Sequence, residues 1–255
     1  HKDLKADYIM ANPPFNQKDW RAENELKDDP RWRGYDVPPK SNANYAWILN
    51  MVSKLSDNGV AGFILANGAL SGGGEEYKIR KTLIENNLVE AILILPQDMF
   101  YTTNISVTIW ILNKNKKAHS RSIGDEERHY RKREKEILFM DLRQIGEPFE
   151  KKFIQFSEQQ IKDIGKTYHT WQQEENNYKD IPEYCYSASF DDVVKKDFSL
   201  VPSKYIEFVN RDENIDFDDK MQNLKSEFAD LLKAESQSKN DLLTVFRELG
   251  YEITL

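Results

Sequence analysis

Apolar residues along the first half of the chain switch between two spacings, short continuous runs and the three-to-four residue period of a helix. The run Tyr8-Ile9-Met10-Ala11 predicts a buried strand that ends at Asn12-Pro13-Pro14, because neither proline has an N–H to give a sheet ladder. Tyr45, Ile48, Leu49, Val52 and Leu55 fall at helical spacing, Asp57-Asn58-Gly59 supplies a stop, and residues 60–66 are an uninterrupted apolar run. The same order then returns. Ile79, Leu83 and Ile84 make residues 75–86 helical, residues 88–95 form a second apolar strand closed by Pro96, and residues 105–112 and 137–142 read as further strands.

Helices alternating with fully apolar strands predict an α/β fold with parallel pairing and helices on both faces of the sheet. Residues 105–112 follow the preceding strand across a loop alone, so that strand is expected to be an antiparallel edge. Two polar segments interrupt the pattern. Residues 16–43 are charged, proline-containing and without period, which predicts a long, mobile, functional loop carrying Trp20, Trp32 and Tyr35. Residues 113–136 are rich in Lys and Arg and read as an exposed excursion. Farther on, residues 157–169 look helical, 180–186 look like a loop and 190–196 like a short helix. Phe217, Met221, Leu224, Phe228 and Leu231, then Leu242, Phe246 and Leu249, predict one long helix or two with a coiled-coil-like seam in an acidic segment. Three regions follow: 1–150, an extension over 151–210 packing on it, and a helical interaction region over 211–255.

Composition narrows the classes. A chain of 255 residues with 39% hydrophobic residues can bury one substantial core and a smaller appendage. A net charge of -7 excludes a protein that grips nucleic acid over its whole surface, so any such contact is local or shared with a partner. The single cysteine, Cys185, forms no internal disulfide and no Cys-based zinc site, which points to a reduced, cytoplasmic setting. His119 and His129 lack acidic or cysteine partners at ligand spacing, and no metal is expected. No apolar run reaches the roughly 18 residues of a membrane span, and the start has no signal-peptide pattern. A first residue His, with a strand almost at once, is expected of an excised piece of something longer.

The chemistry concentrates in Asn12-Pro13-Pro14-Phe15 at the end of a strand. An exocyclic aromatic amine is a poor nucleophile because its lone pair is delocalised into the ring. Two acceptors aimed at its two N–H bonds favour the pyramidal form that attacks a methyl sulfonium. Asn12 Oδ1 and the Pro13 carbonyl suit that task, with the two proline rings fixing φ so that both oxygens face one pocket. Phe15 then stacks on a base drawn out of its helix. The scheme needs no general base and no metal.

Asn-Pro-Pro-Phe looks like motif IV of amino-group methyltransferases. The likeness extends through Arg31-Trp32-Arg33-Gly34-Tyr35, Asn42-Ala43-Asn44-Tyr45-Ala46-Trp47, Gly59-Val60-Ala61-Gly62-Phe63-Ile64-Leu65-Ala66-Asn67-Gly68-Ala69-Leu70 and Ile79-Arg80-Lys81. It continues with Leu95-Pro96-Gln97-Asp98-Met99-Phe100-Tyr101-Thr102-Thr103, Phe139-Met140-Asp141-Leu142-Arg143 and Ser199-Leu200-Val201-Pro202-Ser203-Lys204-Tyr205. In this order the segments resemble the modification subunit of type I restriction-modification systems over nearly the whole chain.

That resemblance implies the carboxyl-terminal strands of a Rossmann-like methyltransferase sheet, and methyl transfer from S-adenosyl-L-methionine to adenine N6 in duplex DNA. Implied partners are a specificity subunit, a restriction subunit and a second copy of the modification subunit, with the terminal helices meeting the specificity subunit. It also implies that the loop around Phe100 corresponds to motif VIII, whose aromatic packs on the flipped adenine; a core phenylalanine capping a strand is the other reading of Phe100. The family's glycine-rich cofactor loop and acidic ribose-binding residue precede motif IV and have no match here, leaving Asn12 as the one residue on the cofactor's side. Gly72-Gly73-Gly74 lacks the G-x-G-x-x-G spacing and reads as a flexible turn. Lys18, Arg21, Arg31, Arg33 and Lys40 in the long loop suit phosphate contact, against the reading of a solvated loop balanced by its acids. Two alternatives stay open. One is methylation of a protein glutamine or of RNA, by enzymes that share the motif and usually carry Tyr at the position of Phe15; the other is a non-enzymatic interaction module.

Overall fold

A computed structural model describes residues 3–101, 103–124, 126–174, 177–209 and 216–251. Thr102, within the stretch likened to motif VIII, and residues 210–215, at the start of the predicted terminal region, lie outside the described residues. In chain order the elements are β1 (Ala6–Ala11), α1 (Asn44–Lys54), β2 (Leu55–Ala66), α2 (Gly74–Glu85), β3 (Val89–Ile94) and β4 (Val107–Asn113). A hairpin of β5 (His119–Ile123) and β6 (Glu126–Tyr130) follows, then β7 (Glu136–Asp141) and a second hairpin of β8 (Glu147–Phe149) and β9 (Phe153–Gln155). The remainder is α3 (Glu158–Gln172), β10 (Cys185–Ser189), α4 (Phe190–Lys195) and α5 (Phe217–Glu248).

Six strands make one mixed sheet in the order β1-β2-β4-β3-β7-β10. The pairs β1 with β2 and β3 with β7 are parallel, whereas β4 is antiparallel to both its neighbours and β10 is antiparallel to β7. It follows that β1, β2, β3 and β7 run one way and β4 and β10 the other. The apolar stripes of α1 and α2, with Val193 of α4, build one core cluster around Trp110, Phe63 and Phe139. Trp171 and the half-buried Ile164 and Tyr168 of α3 pack in a second cluster with Leu93, Leu138 and Met140. Helices therefore cover both faces, as expected for this fold class. Local chemistry sets their starts: Ser157 and Gln160 form a capping box at α3, and Ser189 and Asp192 form another at α4.

Several expectations need correction. The strand read at 105–112 is antiparallel, but it lies inside the sheet between β2 and β3, with Trp110 and Val107 fully buried. Its largely apolar run is the reason, since both of its faces are covered. Conversely β1, read as buried, is an edge strand with Tyr8 62% and Met10 96% exposed. Asp57-Asn58-Gly59 does not end an element. Ala6 pairs with Leu55 and Tyr8 with Val60, so these residues form a bulge within β2.

The excursion over 113–136 carries the β5–β6 hairpin and is not wholly exposed. Arg133 is buried with Nε 2.9 Å from the buried Glu90 Oε1, and the buried Lys116 ammonium donates to the Val89 carbonyl at 2.8 Å and the Glu136 carbonyl at 2.6 Å. Nor is the long loop free of the core. Trp32 is buried and donates its indole N–H to the Leu26 carbonyl, and Trp20 meets it edge to face and donates to the Pro39 carbonyl.

The chain divides into two compact units, His1–Phe208 and Val209–Leu255. Residues 151–208 thus belong with the sheet, to which they contribute β10. In the second unit α5 is one continuous helix, capped where the Asp216 carboxylate accepts from the Asp218 and Asp219 N–H groups. No residue of α5 is buried, and Phe217, Met221, Leu224, Phe228 and Leu231 are all exposed.

Candidate active site

Strand directions bring the ends of β1, β2 and β3 and the start of β4 to one edge of the sheet: Ala11 pairs with Phe63, Ala66 with Val107, and Ile94 with Thr108. The carboxyl ends of parallel strands are where open α/β sheets bind ligands. Asn12 follows β1 at this edge. Its side chain is in solvent, and neither its carboxamide nor the Pro13 carbonyl accepts a hydrogen bond among the described residues. Phe15 is half-buried and packs against both core clusters.

Phe100 comes from the loop between β3 and β4 and packs, half-buried, against the same second cluster as Phe15. The two aromatics therefore both reach the second cluster, Phe15 from the segment after β1 and Phe100 from the β3–β4 loop. Their neighbour Tyr101 points elsewhere, 70% exposed and edge-on to Phe153 at 4.7 Å. The β8–β9 hairpin steadies this loop further, since Ile154 N–H donates to the carbonyl of Asp98, a residue with φ of 58°.

The five basic residues singled out in the long loop divide into two groups. Arg31 makes a bonded ion pair with Asp29 and covers the Trp32 ring; its guanidinium is held above the ordinary arginine value, first by the hydrogen bonds it donates to Asp29. Arg21 donates to the carbonyls of Ala22, Glu23, Glu25 and Pro38, and Lys40 reaches Glu23 at 3.3 Å. Lys18 and Arg33 are exposed and have no ion-pair partner among the described residues.

Asn44, which enters the sequence pattern only as part of Asn42-Ala43-Asn44-Tyr45, has contacts that this pattern does not reveal. Its side chain is fully buried, and its carboxamide contacts Asn16, the residue after Phe15: Oδ1 accepts from the Asn16 backbone N–H at 3.0 Å and Nδ2 donates to Asn16 Oδ1 at 2.8 Å. The available signal was a polar residue heading an apolar helical stripe. The glycine turn before α2 is also anchored, because the buried Arg80 donates to the Gly72 carbonyl at 2.7 Å and to the Phe198 carbonyl at 2.8 Å. Arg80 also contacts the Tyr45 hydroxyl, which burial raises well above the usual phenol range.

No group of three or more His, Cys, Asp or Glu side chains suited to a metal occurs among the described residues. His119 instead stacks on Tyr130 and His129 meets Ser120. A cavity of about 560 Å³ between Asp7, Asn58, Asn113, Arg121 and Tyr168 lies at the opposite ends of β1 and β2 from Asn12. Among the described residues no helix is long and apolar enough to cross a membrane.

A family model described as N-6 DNA Methylase matches residues 1–214. The chain is 40% identical to the methylase subunit of the type I restriction enzyme HindI from Haemophilus influenzae, across 99% of this chain and 53% of that protein. It is 32% identical to the MjaIX methylase subunit from Methanocaldococcus jannaschii, across 98% of this chain and 43% of that protein. The chain thus spans about half the length of the curated relatives it matches. Among solved structures, a type I restriction-modification methyltransferase subunit from Streptococcus thermophilus superposes with a TM-score of 0.68 at 26% identity, covering 82% of this chain and 39% of that one.

Proposed function

The chain belongs to the N-6 DNA methylase family, and from that premise we propose that it is the target-base half of an S-adenosylmethionine-dependent adenine-N6 DNA methyltransferase, the modification subunit of a type I restriction-modification system. The observation that carries the reading is the Asn12 carboxamide, in solvent and unpaired among the described residues, beside the Pro13 carbonyl at the carboxyl end of β1. These are the two acceptors that an exocyclic amine requires. Phe15 and Phe100, both packed against the second core cluster, supply apolar walls for an extruded base.

The fit to S-adenosylmethionine is partial. Asn12 offers one polar group toward it, and no glycine-rich loop of cofactor-binding spacing occurs in this sequence. When bound, the cofactor supplies an electrophilic methyl on a sulfonium. The chain's own residues do the rest: Asn12 Oδ1 and the Pro13 oxygen accept the amine's two N–H bonds, Pro13 and Pro14 hold that backbone rigid, and the aromatics orient the ring. We infer that the remainder of the intact protein holds the cofactor beside β1, whose free edge and exposed Met10 give it a surface to join.

Lys18 and Arg33 are the proposed phosphate contacts of the loop, with Arg21, Arg31 and Lys40 acting first as its internal ties. The acidic α5, with its exposed apolar seam, is the proposed contact with the specificity subunit; a restriction subunit and a second modification subunit complete the assembly. The test is label transfer. The intact protein, assembled with its specificity subunit, is given methyl-labelled cofactor and cognate duplex, and the product nucleosides are separated. N6-methyladenine in DNA is expected, with weaker DNA retention at raised salt for Lys18→Ala and Arg33→Ala. Label in protein or RNA in place of DNA would overturn the assignment of substrate, and no transfer to any acceptor would overturn the enzyme reading.

A further inference from the structure

We propose that Asn44, at the start of α1, is a positioning residue for methyl transfer, clamping the loop that carries Asn12 and Phe15 through Asn16. The proposal rests on the functional reading above and adds a residue to it. Asn44 is fully buried beside Tyr45 and Ile48, where a carboxamide left without hydrogen bonds would be strongly unfavourable. Both halves of that carboxamide bond to one loop residue. The Oδ1 atom takes the Asn16 backbone N–H at 3.0 Å, and Nδ2 gives a proton to Asn16 Oδ1 at 2.8 Å.

Asn42 closes the ring. Its Nδ2 donates to Asn16 Oδ1 at 3.3 Å while its own Oδ1 accepts from the Asn44 backbone N–H at 2.9 Å, and Ala43 N–H donates to the Gln17 carbonyl at 2.9 Å. Asn16 is thereby fixed with φ of 52°, a left-handed conformation that an L residue adopts only at a cost. That turn lies one residue past Phe15, so it sets where the Phe15 ring leaves the chain and where the rigid Asn12-Pro13-Pro14 segment aims its two oxygens.

The consequence is geometric. Two acceptors must meet two N–H bonds, and a displacement of about 1 Å can cost on the order of 100-fold in rate. A buried asparagine that donates and accepts along two parallel bonds restrains the loop against both translation and twist. Aspartate keeps the acceptor and loses the donor; leucine keeps the buried volume and loses both.

Asn44→Leu and Asn44→Asp are tested in the intact complex by single-turnover methylation, by Kd for DNA and for S-adenosylmethionine, by thermal unfolding, and by hydrogen exchange of the Asn16 amide. Asn44→Leu is expected to lower the single-turnover rate about 10- to 100-fold, with both Kd values and the unfolding midpoint close to wild type and faster Asn16 exchange. Asn44→Asp is expected to fall between. Leucine at wild-type rate, or unchanged Asn16 exchange, overturns the clamp, as does a rate loss that merely follows the unfolding midpoint. A wild-type complex without methylation, in which leucine still frees the Asn16 amide, overturns the functional reading and with it the catalytic consequence, and upholds the clamp itself.

Discussion

Asn12 and Lys116 show how one chain treats two polar side chains in opposite ways. Asn12 is left in solvent without a partner among the described residues, which suits a group whose partner is a substrate. Lys116 is buried, and desolvation lowers its ammonium to about 8, against the pull of Glu90 in the other direction and with Arg133, Glu136 and Lys135 also acting on it. Below pH 8 this lysine is charged in the folded and unfolded chains alike and its lowered proton affinity is a full cost to folding. Above pH 8 the folded chain releases a proton that the unfolded chain keeps until about 10.5, so stability rises with pH. Cys185 and the buried tyrosines, all raised by burial, act in the opposite sense once the unfolded chain begins to lose those protons near pH 9 and above. Thermal or urea unfolding is therefore expected to show a gain of about 1 kcal/mol between pH 8 and 9 that Lys116→Met removes. A wild-type stability falling across that window would contradict this.

Among the elements, the ones legible in the sequence are those marked by a helical apolar stripe or a continuous apolar run. The stripes of α1, α2 and α3 and the apolar runs of β2, β3 and β7 are local signals, and the structure has these elements within a few residues of the expected bounds except at the start of β2, which lies at Leu55 instead of residue 60. The place of β4 was not legible. Its antiparallel direction follows from a short connection, but its insertion between β2 and β3 depends on which edge is open when it folds back. The β5–β6 hairpin was hidden by charge, since Arg133 and Lys116 reach their partners Glu90, Val89 and Glu136 only in three dimensions. At the site, Asn12 to Phe15 stood out because two prolines end a strand, whereas Asn44 needed its distance to Asn16 before it had any meaning.

The bulge in β2 depends on Gly59 in the same way. A Cβ there would lie 2.8 Å from the Ala6 carbonyl oxygen and 2.9 Å from the Ser56 nitrogen, backbone on both sides, so neither neighbour can yield cheaply. Gly59→Ala is expected to cost about 1–3 kcal/mol in thermal unfolding and to slow methylation through the altered seating of β1. An alanine variant with wild-type stability and rate would mean that the bulge has no part in aiming Asn12.

At the scale of the whole molecule, the chain matches the N-6 DNA Methylase model over residues 1–214 and spans 53% of the Haemophilus influenzae relative. Its net charge of -7 leaves little general attraction for a polyanion, so in the proposed assembly much of the DNA contact falls to other subunits. Under the proposed function, this chain brings the sheet edge at which the Asn12 amide oxygen and the Pro13 peptide oxygen accept the target amine. The decisive measurement is single-turnover methylation by the intact complex carrying Asn12→Ala. Methyl transfer to the target adenine should slow by about 10²–10³-fold with DNA and S-adenosylmethionine affinities near wild type. Alanine at position 12 turning over as fast as asparagine would contradict the acceptor role from which everything else follows.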